Sequence, residues 1–274
     1  NRNINIDYKG KVLGLIFDKS STRTRVSFQV AMSRLGGTTI DLNPTTSQIG
    51  RGEPIKDTVR VLSRYCDVLA IRTFNQADLK EYAKWSEIPI INALTDLEHP
   101  CQVLADFLTI KEEFGGFKDL VLTFIGDGNN IANSLILCGE LLGIEIRISC
   151  PAGYEPDPQI IKKATQINNG NYKFKIFHDP FLAAKDSNIL YTDVWSSMGE
   201  ESKKEKKDKD FNGFTIDNNL LSEAKTDAIV LHCLPAYRGK EITDQIIECK
   251  KSRVFEQAEN RLHAQQALLA CLLQ

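Results

Sequence analysis

The stretch Val12-Leu13-Gly14-Leu15-Ile16-Phe17-Asp18-Lys19-Ser20-Ser21-Thr22-Arg23-Thr24-Arg25 decides the fold. It opens with a short apolar run of strand length and passes through polar residues into a segment that reads as a helix from Thr22. A buried strand handing over to a helix is the repeating unit of parallel α/β sheets. The motif therefore sits at the carboxyl end of a strand, where such sheets place their ligands.

The same alternation continues outward. Strands are expected at Val12–Phe17, Thr38–Leu42, Val68–Arg72 and Pro89–Asn92, with helices beginning near Thr22, Pro54, Ala77 and His99. After Gly115-Gly116 the pattern restarts, with strands near Leu120–Ile125, Glu145–Cys150, Lys173–Phe177, Ile189–Val194 and Ala228–His232. The expectation is an α/β protein of two doubly wound parallel-sheet domains, residues 1–116 and 117–256. Residues 257–274 read as a helix with Ala258, Leu262, Ala267, Leu268 and Leu272 needing cover, expected to pack back across the domain junction onto the first domain. The run Glu200–Asp210, EESKKEKKDKD, has no apolar stripe and reads as a solvated loop, suited by its place after Met198-Gly199 to a lid.

With a formal net charge of -2 and 42% hydrophobic residues, the chain is neither disordered nor a nucleic-acid binder by charge. No uncharged apolar stretch approaches the ~18 residues of a membrane span, and no apolar signal region follows Asn1. The absence of a starting Met suggests processing or trimming. The seven cysteines form no CxxC pair and are odd in number, so neither a disulfide framework nor a metal cluster is expected, and a reducing cytoplasm fits. Small molecules are the expected partners, with no cofactor.

Within the opening motif, four hydroxyls and two arginines fall in the six residues Ser20–Arg25. A helix N-terminus presents unpaired N–H groups and about half a positive charge, which suits a phosphate dianion. Ser21, Thr22 and Thr24 add hydroxyl donors, and Arg23 adds a charge-assisted, bidentate contact. The bland alternative is an ordinary Ser cap with solvated arginines. Gly126-Asp127-Gly128-Asn129-Asn130-Ile131 superficially suggests a dinucleotide turn, but Ile131 stands where the third glycine belongs. A nicotinamide-dependent dehydrogenase is thus disfavoured.

The Ser21–Arg25 segment resembles the S-T-R-T-R phosphate loop of the aspartate/ornithine carbamoyltransferase family. Other segments are similar to that family in the same order: Ser47-Gln48-Ile49-Gly50, Ile71-Arg72-Thr73, His99-Pro100-Cys101-Gln102, Asp193-Val194-Trp195-Ser196-Ser197-Met198-Gly199, His232-Cys233-Leu234-Pro235, and Phe255 to Arg261. The S-M-G and H-C-L-P segments match the ornithine-accepting branch. The resemblance implies that carbamoyl phosphate binds at Ser21, Thr22, Arg23, Thr24, Arg72, His99, Gln102, Cys233, Leu234 and Arg261, with Gln48 reaching a neighbouring subunit's site in a homotrimer. It implies that Asn133 holds the α-carboxylate of ornithine, Asp193 and Ser197 its α-ammonium, and Met198 its methylene chain. Arg72, His99, Asp193 and Cys233 are the implied catalytic set, Cys233 positioning the δ-amine rather than attacking. His178 and His263 carry no motif and read as structural.

This chemistry is coherent by itself, because attack on a carbamoyl carbonyl builds charge on one oxygen while phosphate departs, and donors must face both. An amine of pKa near ~10.4 attacks only in its neutral form, so the rate is expected to rise toward alkaline pH. A transferase for another amine and a non-catalytic metabolite binder are the competing readings. Family members usually carry a further helix before the first strand, and few residues precede Val12.

Overall fold

The computed structural model describes residues 7–43, 48–167, 173–196, 202 and 204–274. They divide into two compact units, one from residues up to Ala105 with Glu259–Gln274, the other Asp106–Ala258.

In the first unit, strands β1 (Val12–Phe17), β2 (Thr38–Leu42), β3 (Val68–Arg72) and β4 (Ile90–Leu94) form a parallel sheet in the order β2-β1-β3-β4. Helices α1 (Thr22–Arg34), α2 (Ile55–Leu62), α3 (Gln76–Trp85) and α4 (Pro100–Phe114) follow them in turn. The unit boundary falls within α4. Strand β3 is buried along its whole length and β1 in all but Val12, as expected of parallel strands, whose apolar residues run on instead of alternating. Leu13, Leu15, Phe17, Phe28, Met32, Val68 and Ala93 gather into one core, and Leu269, Ala270 and Leu273 complete it. Tyr8 Oη donates to the Ala270 carbonyl at 2.8 Å. The end of the chain thus belongs to the first unit.

In the second unit, β5 (Val121–Ile125), β6 (Glu145–Ser149), β7 (Lys175–Phe177), β8 (Ile189–Thr192) and β9 (Ile229–His232) form a parallel sheet in the order β7-β6-β5-β8-β9. Its helices are α5 (Asn130–Leu142), α6 (Pro158–Ile167), α7 (Pro180–Ala184), α8 (Lys204–Asp210), α9 (Asn218–Glu223) and α10 (Asp244–Ile247), followed by α11 (Val254–Leu272), which begins before the expected Gln257 and continues into the first unit. Each sheet reverses its winding once, between β1 and β3 in the first and between β5 and β8 in the second. These reversals open crevices at the carboxyl ends of the strands.

One expectation is corrected. Residues 204–210 of the charged run form a helix, and Lys207 is buried, its Nζ paired with Asp127 Oδ2 at 2.6 Å. Tyr154 Oη donates to Asp210 at 2.6 Å, and Phe211 just beyond stacks on Trp195 with centroids 5.7 Å apart. An internal ion pair and an aromatic anchor stabilise the segment where an apolar stripe is missing.

Candidate active site

At the first crevice, β1 ends at Phe17 and α1 begins at Thr22. Ser21 is the N-cap, its Oγ accepting from the Thr24 N–H at 3.2 Å, the role that the bland reading gives it. No acidic residue occupies the first turn, which instead carries Arg23 and Arg25. Cations beside the positive end of a helix are unfavourable unless an anion joins them. Arg25 is engaged elsewhere, paired with Asp41 and stacked on Phe17, whereas Arg23 and Thr22 are exposed. Lys19, which the motif reading left without a role, is buried against Asp96 and the Phe74 ring.

Thr24, Arg72, His99, Gln102 and Arg261 are all buried, and the structure brings them together. Arg261, on α11, donates to Thr24 Oγ1 at 3.0 Å and to Gln102 Oε1, the atom expected to accept from a carbamoyl NH2. Arg72 ends β3, and its buried Nε has no hydrogen-bond partner among the described residues. Burial, then Arg261 and Arg23, lowers the Arg72 pKa to about 10. Burial, then Arg261 and Arg72, holds His99 well below the ordinary histidine range, so its imidazole is neutral. Three arginines and a neutral imidazole around one helix start form a cradle for a multiply charged anion. Gln48 is exposed on the connection from β2 to α2.

At the second crevice, Asn129 caps α5, its Oδ1 accepting from the N–H groups of Ile131 and Ala132, while its Nδ2 donates to Asp193 Oδ2 at 3.0 Å. Asp193, just past β8, also accepts the Val194 N–H at 2.8 Å. Gly128 owes its identity to the Tyr154–Pro156 backbone, which a Cβ would meet at 2.4 Å. That close approach, not a pyrophosphate, accounts for the glycine. Asn133 is buried, and its Oδ1 accepts from the Asp157 N–H at 3.1 Å, which fixes its amide.

At the end of β9, His232 Nδ1 accepts the Leu234 N–H at 2.9 Å, so its proton resides on Nε2, facing Glu241 Oε1 at 3.1 Å. Glu241 also accepts the Tyr237 N–H, holding the turn from below. Leu234 adopts a left-handed φ of 56°, held by the His232 ring. Cys233 is partly buried, bonded to Asp193 and beside the Tyr191 hydroxyl, and burial followed by the Asp193 charge pushes its thiol well up, so it is protonated. Asp193, His232 and Cys233 offer ligand-type atoms within 4.8 Å of one another, yet both ring nitrogens of His232 are committed, which leaves the trio short of a metal donor. Ser197 and Met198 lie outside the described residues. Asn129, His232 and Glu241 escaped the sequence reading as partners, although Asn129 and His232 lie inside quoted motifs.

Each unit thus carries a site at its switch point, an anion cradle in one and an acid–thiol cluster in the other, which defines a two-domain α/β enzyme. The carbamoyl-P binding domain of aspartate/ornithine carbamoyltransferase matches residues 1–112, and the Asp/Orn binding domain matches residues 118–272. A protein named ornithine carbamoyltransferase from Prochlorococcus marinus (strain MIT 9312) is 74% identical over 273 residues, covering 100% of this chain and 89% of its own length. Its counterpart in Nostoc punctiforme is 60% identical over 263 residues, covering 96% and 86%. The solved ornithine carbamoyltransferase from Pyrococcus furiosus is 48% identical with a TM-score of 0.93, covering 97% of this chain and 85% of its own. The chain belongs to the aspartate/ornithine carbamoyltransferase family.

Proposed function

We propose that this chain transfers the carbamoyl group of carbamoyl phosphate to the δ-amine of L-ornithine, giving L-citrulline and phosphate. The observation that carries the reading is the crowding of Arg23, Arg72 and Arg261 at the acid-free start of α1. Their repulsion is relieved by a bound dianion, and the relatives named for this reaction support the choice of donor and acceptor.

Residues 1–116 take carbamoyl phosphate, 117–256 take ornithine, and 257–274 return to the first domain. Ser21, Thr22, Arg23 and Thr24 hold the phosphate with the helix N-terminus. Arg72 bridges phosphate and carbonyl oxygen, and neutral His99 donates to that oxygen. Arg261 and Gln102 act as a bonded pair beside the carbamoyl group. The Leu234 carbonyl accepts from the carbamoyl NH2. Asn133 takes the α-carboxylate, Asp193 and Ser197 the α-ammonium, and Met198 lines the methylenes. Cys233 sits by the δ-amine as a neutral thiol. The δ-ammonium first loses one proton to solvent; the amine nitrogen then forms a bond to the carbamoyl carbon, the C–O bond to phosphate breaks, and a second amine proton leaves with phosphate as HPO4 2-. The step balances without metal or cofactor. The working assembly is a homotrimer in the cytoplasm, Gln48 completing a neighbour's site.

The test is citrulline formation with ornithine, N-acetylornithine, putrescine or aspartate offered separately, beside Arg23→Ala. Turnover with ornithine alone, lost in the variant, is expected. Preference for another acceptor overturns the Asp193–Met198 assignment, and phosphate binding without turnover overturns the transferase reading.

A further inference from the structure

Behind Cys233 lies a buried chain of polar groups that the reaction scheme does not use. Tyr191, fully buried on β8, donates its hydroxyl proton to Asp106 Oδ2 at 3.0 Å. Asp106 is itself completely buried, and its Oδ1 accepts from Gln257 Nε2 at 2.7 Å. Gln257 in turn accepts the His232 N–H through Oε1 at 2.9 Å, so the chain is tied to the backbone just before Cys233. The Cys233 thiol bonds to Asp193 on one side, and on the other its sulfur lies within hydrogen-bonding reach of the Tyr191 hydroxyl. The ionisable groups facing the thiol are Asp193, Asp106, Tyr191 and His232, and Cys138 also faces Asp106.

Tyrosine has one hydroxyl proton, and here two acceptors compete for it, the Asp106 carboxylate and the Cys233 sulfur. The 3.0 Å bond gives the proton to Asp106. Cys233 must then keep its own proton, which points to the Asp193 carboxylate. We infer that Asp106 is a positioning residue of the reaction: by holding the Tyr191 proton, it keeps Cys233 a thiol directed at Asp193, so that no thiolate forms beside the substrate amine. A thiolate there would hold the attacking amine in its charged, unreactive form. The catalytic consequence rests on the function proposed above, while the thiol consequence does not.

Asp106→Asn tests this, because an asparagine can accept from Gln257 through Oδ1 and donate to Tyr191 through Nδ2, releasing the Tyr191 proton toward sulfur. Iodoacetamide labelling of Cys233, followed on its own peptide by mass spectrometry across pH, is expected to accelerate about tenfold near neutral pH, as for a thiol pKa one unit lower. The alkaline limb of kcat is expected to move to higher pH with KM for carbamoyl phosphate unchanged. In a Tyr191→Phe background only the direct loss of the Asp106 charge remains, so the Asn substitution should accelerate labelling much less than in the parent. Unchanged labelling in Asp106→Asn, or an equal change with and without the Tyr191 hydroxyl, overturns the inference. If Asp106→Asn does not fold, Tyr191→Phe alone decides: labelling within about threefold of the parent supports it, and a tenfold slowing, showing that Tyr191 already donates to sulfur, overturns it. Labelling needs no turnover, so an inactive enzyme with the expected labelling sinks only the proposed function.

Discussion

Asn129 both caps helix α5 and holds Asp193, its Oδ1 facing the Ile131 and Ala132 amides and its Nδ2 lying 3.0 Å from Asp193 Oδ2. The two jobs are separable. Asn129→Ser keeps an N-cap oxygen but loses the reach to Asp193, so KM for ornithine is expected to rise with little change in thermal stability. Asn129→Ala loses both, and about 1 kcal/mol of stability is expected to go with the cap. Equal melting points for the two variants would show that the capping bond carries no weight.

Bound anion should stabilise the first unit. The cradle of Arg23, Arg72 and Arg261 repels itself when empty, so phosphate at a hundred times its Kd is expected to add about 2.7 kcal/mol, seen as a concentration-dependent rise in melting temperature. Arg23 is exposed, so Arg23→Ala should fold normally and lose most of that rise. A rise equal in both proteins would place the anion elsewhere.

His99 gives a pH dependence of known sign. Burial and the neighbouring Arg261 and Arg72 hold its folded pKa well below the ordinary 6.5. Below about pH 6.5 the unfolded chain binds a proton that the native state refuses, so stability falls as pH falls. The carboxylates held low in the native state, Asp67, Glu113, Glu145 and Glu155, start from 3.8 or 4.5 and act at more acidic pH. Urea midpoints between about pH 6.5 and 5 should therefore decline in the parent and much less in His99→Gln. Parallel declines would remove His99 from the account.

Much of this was legible in sequence because the deciding features are local. The β1 run and the Ser21–Arg25 cluster announce a strand, a helix start and a candidate anion site within a few residues, and the restart after Gly116 announces the second sheet. Asp106, Tyr191 and Gln257 could not be read that way, since they meet only through tertiary folding, and a buried aspartate inside an apolar helix carries no local signature. Gly128 misleads for the opposite reason: a glycine demanded by the Tyr154–Pro156 backbone looks the same as one demanded by a phosphate.

Helical periodicity does not announce the helix at Lys204–Asp210, because periodicity reports apolar stripes and the one buried side chain of this helix is a lysine. Lys207 and Asp127 are both largely buried, with side-chain exposures of 5% and 15%. Removing one partner weakens the compensation of the other charge in a poorly solvated place, so Asp127→Asn is expected to cost about 3 kcal/mol. Replacing the pair together, as Asp127→Leu with Lys207→Met, removes both desolvation penalties and should cost much less. Hydrogen exchange of the 204–210 amides is the direct readout: faster exchange in Asp127→Asn, with near-parental rates in the double variant, is expected. Parental rates in the single variant would mean that Tyr154 and Phe211, not the ion pair, hold the helix down.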